Sequence, residues 1–79
     1  MSYTLLYFAS LADQAGRAEE VRDNTSRTPR ELYAEVAAAH GFTFSAERLR
    51  VAINGVLVSW NHILGDGDEI VFLPPVSGG

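Results

Sequence analysis

The sequence predicts an α+β fold, a mixed β-sheet packed on one side by one main helix. Three observations carry this expectation. The chain opens and closes on apolar, breaker-free runs of strand character, SYTLLYFA at 2–9 and EIVFL at 69–73. Between them stands a capped helix start, Thr28-Pro29-Arg30-Glu31. Asn54-Gly55, the strongest short hairpin signal, then separates two further apolar runs.

After the first strand, residues 10–16 (SLADQAG) allow a turn of helix stopped by Gly16. Residues 18–23 (AEEVRD) alternate weakly about Val21 and fit a polar second strand, and 24–27 form a loop. Thr28 can cap the main helix, Pro29 suits its first position, and Glu31 can complete a capping box. The helix should run over 29–40, with Leu32, Val36 and Ala39 as its apolar stripe, widened by Tyr33 and Ala37. Gly41 follows where a left-handed C-cap belongs. His40 lies near the negative end of the helix dipole, which gives it a structural role rather than a catalytic one. Phe42 and Phe44 should pack beneath the loop leaving the helix.

Residues 50–53 and 56–59 flank the Asn54-Gly55 turn as a hairpin, and 60–65 form an irregular or single-turn segment. Asp66-Gly67-Asp68 marks a turn into the last strand. Pro74-Pro75 ends any strand ladder, because neither residue can donate a hydrogen bond. The order β-β-α-β-β-β is that of the β-grasp, or ubiquitin-like, architecture.

Seventy-nine residues make one domain, 1–79, with a flexible tail at 74–79 and no room for a second core. A hydrophobic share of 47% against 20% charged describes a folding chain rather than a disordered one. A deep catalytic cleft is hard to build at this size, so chemistry is expected on a terminus, on a loop, or in a partner. The absence of cysteine excludes a disulfide, a thiolate metal site and a cysteine nucleophile together. His40 and His62, the only histidines, stand well apart, so no metal site is expected. A net charge of −4 argues against nucleic acid. No apolar run approaches a membrane span and no signal-peptide pattern opens the chain, so a soluble cytoplasmic protein is expected. All six basic residues are arginine, which leaves the N-terminus as the only amine.

Strand alternation places Tyr3, Leu5 and Tyr7 on one face and Leu6 and Phe8 on the other. Ile70 and Phe72 likewise oppose Val71 and Leu73, and Val56 and Val58 oppose Leu57. Both faces of the sheet carry large apolar groups, yet one helix covers one face. The other should leave Phe8, Leu57, Val71 and Leu73 near solvent as a partner surface, unless the segments around Phe42, Phe44 or Trp60 fold over it. Beyond Leu73 the six residues Pro74, Pro75, Val76, Ser77, Gly78 and Gly79 reach at most roughly 20 Å when extended. Two prolines stiffen the base of this tail, and Gly78-Gly79 can enter a channel too narrow for a side chain. The chain is expected to close on a free, unhindered carboxylate at Gly79.

The stretch from Asp66 to Gly79, DGDEIVFLPPVSGG, resembles the ending of a known family, the small, sulfur-carrying subunit of molybdopterin synthase, almost position for position. Val51-Ala52-Ile53-Asn54 is similar to the family's AVN before its hairpin turn, and Leu5-Leu6-Tyr7-Phe8-Ala9 to its LFFA strand. The chain departs from the family at Ala12-Asp13, where Arg-Glu is frequent, and at Asn61 and Ile63, where Asp and Pro are common.

The resemblance implies a carrier that is not catalytic alone. A ubiquitin-activating-type enzyme would use ATP to adenylate the Gly79 carboxylate, and a sulfurtransferase would convert it to a thiocarboxylate. The large synthase subunit, in a heterotetrameric complex, would take in the tail (Pro74 to Gly78) and pass the sulfur to a cyclic pterin phosphate. No cofactor would be bound beyond that covalently carried sulfur. Three other readings stay open: a sulfur carrier for thiamin or another thio-cofactor, a ubiquitin-like modifier of target lysines, and an interaction module with an inert tail.

Overall fold

The opening apolar run folds as β1, Ser2–Tyr7, in a computed structural model that describes residues 1–75. Alternation separates its faces: Tyr3, Leu5 and Tyr7 are buried, and Ser2, Thr4 and Leu6 half-buried. The strand stops two residues short of the expected 9, because Phe8 becomes the N-cap of a short helix, α1, Ala9–Ala15. Leu11 anchors α1 in the core, and the N–H of Gly16 donates to the Ala12 carbonyl to close it. β2, Glu19–Asp23, runs back antiparallel to β1 at the edge of the sheet, with charged side chains at four of its five positions.

The main helix, α2, spans Pro29–His40, as its boundary residues dictate. The Glu31 N–H donates to the Thr28 hydroxyl at 3.2 Å. The Glu31 carboxylate reaches one residue further back than a simple capping box requires and accepts from the Arg27 N–H at 2.7 Å. At the other end Gly41 takes φ 72°, a left-handed conformation that favours glycine, and its N–H donates to the Ala37 carbonyl at 2.8 Å. The buried stripe is Pro29, Leu32, Tyr33 and Val36. Ala39, expected on that stripe, is exposed, and His40 is half-buried in its place. From Val36 both +3 and +4 positions are available, and the +4 residue has polar partners on β2 to meet.

A 3-10 turn at Ala46–Arg48 leads into β3, Arg50–Ile53; β4, Val56–Val58, follows the hairpin; and β5 is Glu69–Leu73. The sheet order is β2-β1-β5-β3-β4, with β1 and β5 parallel and every other pair antiparallel. This is the β-grasp arrangement: the terminal strands lie side by side at the centre and the helix crosses one face.

Leu5 stands opposite Ile70 and Tyr7 opposite Phe72, so inward side chains of the two central strands form one layer against Leu32, Tyr33 and Val36. Aromatic rings close its flank. Trp60 stacks on Phe72 with centroids 5.8 Å apart, and Phe42 meets Tyr7 edge-on at 5.5 Å. The Tyr33 hydroxyl donates to the Phe44 carbonyl at 2.6 Å and ties the loop after α2 to the core. Phe42 and Phe44 therefore pack as expected, on the helix side of the sheet.

Candidate functional site

Strand register builds the face opposite α2. Paired residues in neighbouring strands point the same way, so Leu6, Val71, Ala52 and Leu57 form one row across β1, β5, β3 and β4. Leu73 pairs with Arg50 in the next row, and Phe8 extends the parity of Leu6 beyond the end of β1. Phe8 is 50% exposed and Leu57 58% exposed, while Val71 and Leu73 are half-buried by their neighbours. Phe42 leaves this face open, and Trp60 reaches only its rim, where it lines a groove together with Leu57 and Leu73. Phe42 and Trp60 make their ring contacts with Tyr7, Tyr33 and Phe72, whose side chains point to the helix side. The structure thus brings Phe8, Leu57, Val71 and Leu73 onto one apolar face that is left open among the described residues.

β5 delivers the chain to the rim of that face. Pro74 is half-buried and Pro75 exposed immediately after Leu73. Leu57, Leu73, Pro74 and Pro75, with Arg48 and Arg50, line a groove of about 700 Å³. Val76, Ser77, Gly78 and Gly79, expected to enter a partner and to carry the reactive carboxylate, lie outside the described residues.

The entry of β5 into the sheet is fixed by the Asp66-Gly67-Asp68 turn, whose role exceeds a change of direction. The Asp66 carboxylate accepts from the Ser2 N–H at 2.7 Å, fixing the turn to the start of β1. Asp68 accepts from the Gly65 N–H at 2.7 Å and from the Asn54 amide at 3.0 Å. Asn54 in turn accepts from the Glu69 N–H at 2.9 Å through its side-chain oxygen. One asparagine therefore clamps the β3–β4 hairpin to the first residue of β5. The sequence marks Asn54 only as a turn former; its pairing with Asp68, fourteen residues away, has no local signal.

His40 proves structural. Its Nε2 lies 2.9 Å from a Glu20 carboxylate oxygen that also accepts from the Tyr7 hydroxyl at 2.7 Å. Arg22 contacts the second oxygen at 3.4 Å. Burial works against ionising Glu20, but the hydrogen bonds from His40 and Tyr7 and the charges of His40 and Arg22 outweigh it and hold the carboxyl below its usual range. Burial, reinforced by the bond to Glu20, pushes the Tyr7 phenol far up, so it remains a neutral donor. This cluster sits on the helix side of the sheet, away from the exposed face. Among the described residues no group of three or more His, Asp or Glu side chains is placed to hold a metal ion, and no helix is long and apolar enough to cross a membrane.

The ThiS family profile matches residues 5–79. The molybdopterin synthase sulfur carrier subunit of Escherichia coli is 36% identical over 78 residues, covering 95% of this chain and 96% of that protein. Among solved structures, SAMP1 of Haloferax volcanii superposes with a TM-score of 0.82 at 27% identity, with both chains covered completely. A chain from the complex of subunits 1 and 2 of the molybdopterin-converting factor of Helicobacter pylori superposes with a TM-score of 0.70 at 26% identity, again over the whole of both chains.

Proposed function

The chain belongs to the ThiS family, and from that premise we propose that it is the sulfur carrier of a molybdopterin synthase, with the Gly79 carboxylate as its reactive group. The observation that carries this reading is a family match that runs through Gly79, on a chain 36% identical to a carrier of that name over nearly its full length.

The chemistry follows from the weakness of a carboxylate as an electrophile. An activating enzyme joins the Gly79 carboxylate oxygen to the α-phosphorus of ATP and releases pyrophosphate. The resulting mixed anhydride has AMP as a good leaving group. A sulfurtransferase persulfide attacks the acyl carbon and expels AMP; a second thiol then reduces the acyl disulfide, and the thiocarboxylate so released is ionised at neutral pH and nucleophilic at sulfur. The large synthase subunit then receives the tail, supplies the catalytic groups and passes the sulfur to a cyclic pterin phosphate. The carrier contributes a reactant and an address, as a bound cofactor would.

Docking through Phe8, Leu57, Val71 and Leu73 supplies the address. The structure of a complex of subunits 1 and 2 for the Helicobacter pylori protein supports a large-subunit partner. With the face seated and β5 held by the Asn54–Asp68 clamp, the tail starts from a fixed point at Pro74. Transfer then proceeds as between groups of one molecule, which raises the effective concentration of the sulfur. A second reading, in which the same carboxyl group is joined to target amines, has the likeness to SAMP1, a small archaeal modifier protein, in its favour.

Intact mass tests the proposal. After incubation with the activating enzyme, ATP and a sulfurtransferase, the full chain is expected to gain the mass difference between sulfur and oxygen. A chain lacking Gly78-Gly79 is expected to gain nothing while keeping its melting temperature. Modification of the truncated chain would place the reactive group elsewhere. Transfer to protein lysines but not to the pterin would favour the modifier reading.

A further inference from the structure

One cation interrupts the apolar face. Arg50 is exposed at the first position of β3, in register with Leu73, and lines the groove from which Pro74-Pro75 depart. It pairs with no carboxylate among the described residues, although Glu47 lines the same groove. Arg48, its neighbour in the groove, has a partner of its own, with its guanidinium 5.5 Å from the centroid of the Phe44 ring. Among the described residues Arg50 is therefore the unpaired cation of a face whose other strand charges, Glu19 and Glu69 among them by parity, are carboxylates.

That position constrains whatever docks there. A partner that covers Leu73 must also cover its register partner, since cross-strand neighbours stand only about 5 Å apart. Sealing a guanidinium away from water without a counter-charge is unfavourable enough to outweigh the apolar contact around it. A carboxylate in the partner removes that cost through paired, charge-assisted hydrogen bonds, for which the planar guanidinium is suited. The rest of the chain favours such a match little, since its net charge of −4 repels an acidic partner everywhere else.

We propose that Arg50 is a specificity-determining residue of the docking face and pairs with an aspartate or glutamate of the large synthase subunit, set beside the apolar side chain that fills the groove at Leu57 and Leu73. This rests on the sulfur-carrier reading and extends it by naming the chemistry the partner must present.

The test measures the affinity of the full-length chain for the large subunit of the same organism. The variants are Arg50→Gln, Arg50→Glu and Leu57→Asp, each checked for an unchanged melting temperature. Arg50→Gln is expected to weaken binding on the order of 10- to 100-fold, and Arg50→Glu more, because a buried charge pair is being broken or reversed. Between about 0.05 and 0.5 M salt the advantage of wild type over Arg50→Gln should shrink, since screening acts on the one attraction that variant lacks. If Leu57→Asp abolishes binding while both Arg50 variants bind as wild type, the face docks but Arg50 reads nothing, and the proposal falls alone. If only Arg50→Glu binds weakly, the partner tolerates a neutral residue and the pairing is refuted. If all three variants bind normally, the docking face and the role of Arg50 fail together.

Discussion

At Glu20 a single carboxylate gathers the Tyr7 hydroxyl, the His40 ring and the Arg22 guanidinium, joining β1, β2 and the end of α2. Only 12% of its side chain is exposed, so these bonds are shielded from competing water. Glu20→Gln keeps an acceptor for Tyr7 but loses the charge. It is expected to destabilise the fold by about 1–2 kcal/mol at neutral pH, the lower part of the range for bonds to charged groups. The pH dependence has a definite sign. The folded pKa of Glu20 lies below its unfolded value, so its contribution is complete above the unfolded carboxylate pKa and is lost as pH falls through the folded value. Urea titrations of both proteins should therefore differ at pH 7, and the gap should begin to close as pH falls below the usual carboxylate range, about 4. A constant gap down to low pH would mean that shape, not charge, is what Gln changes. None of this could be read from the sequence, because Glu20 and His40 are twenty residues apart and meet only when α2 packs on the sheet. The helix dipole gave His40 a structural role and no partner.

The β3–β4 hairpin and β5 behave as one unit because Asn54 serves both. Its backbone sits at φ 52°, and its side chain bonds Asp68 and the Glu69 N–H. Local signals reveal the turn, since Asn-Gly tolerates positive φ at both central positions, and they also place β5 and the ends of α2. They miss the clamp, which exists only in the assembled sheet. Asn54→Gly separates the two roles: glycine accepts the backbone conformation but removes both side-chain bonds. A loss of about 1–3 kcal/mol in denaturant unfolding is expected, since the Glu69 N–H would lose its side-chain acceptor and Asp68 one of its two donors. Because Glu69 opens the strand that leads to the tail, sulfur transfer should slow in the same variant beyond what its unfolded fraction explains. Unchanged stability in Asn54→Gly would reduce Asn54 to a turn former.

Across the whole molecule, one sheet does two jobs with its two faces, and the division was legible in the alternation of strand residues. Leu5 points to the helix and is fully buried, while Phe8 and Leu57 point the other way and are at least half exposed. The sequence alone left open whether the Phe42–Phe44 segment or Trp60 would cover the second face; their contacts with Tyr7, Tyr33 and Phe72 place them on the first. Substitutions should therefore split into two classes. Leu5→Ala leaves a cavity in a closed core and is expected to cost about 2–5 kcal/mol. A domain of this size has a total stability on the order of 4–12 kcal/mol, so that is a large fraction of it. Phe8→Ala removes a ring that the fold does not enclose, and stability should change by no more than about 0.5 kcal/mol. Binding should reverse the ranking. A large aromatic on an uncovered apolar face has the character of an interface anchor, worth about 2 kcal/mol or more to a partner. Phe8→Ala should then weaken affinity for the large subunit roughly 30-fold or more. Leu5→Ala, measured well below its melting temperature, should bind nearly as wild type. Paired melting and binding curves for these two variants decide the matter. If Phe8→Ala lost stability and affinity in step, Phe8 would belong to the core, and the uncovered face would be a consequence of small size rather than a surface for docking.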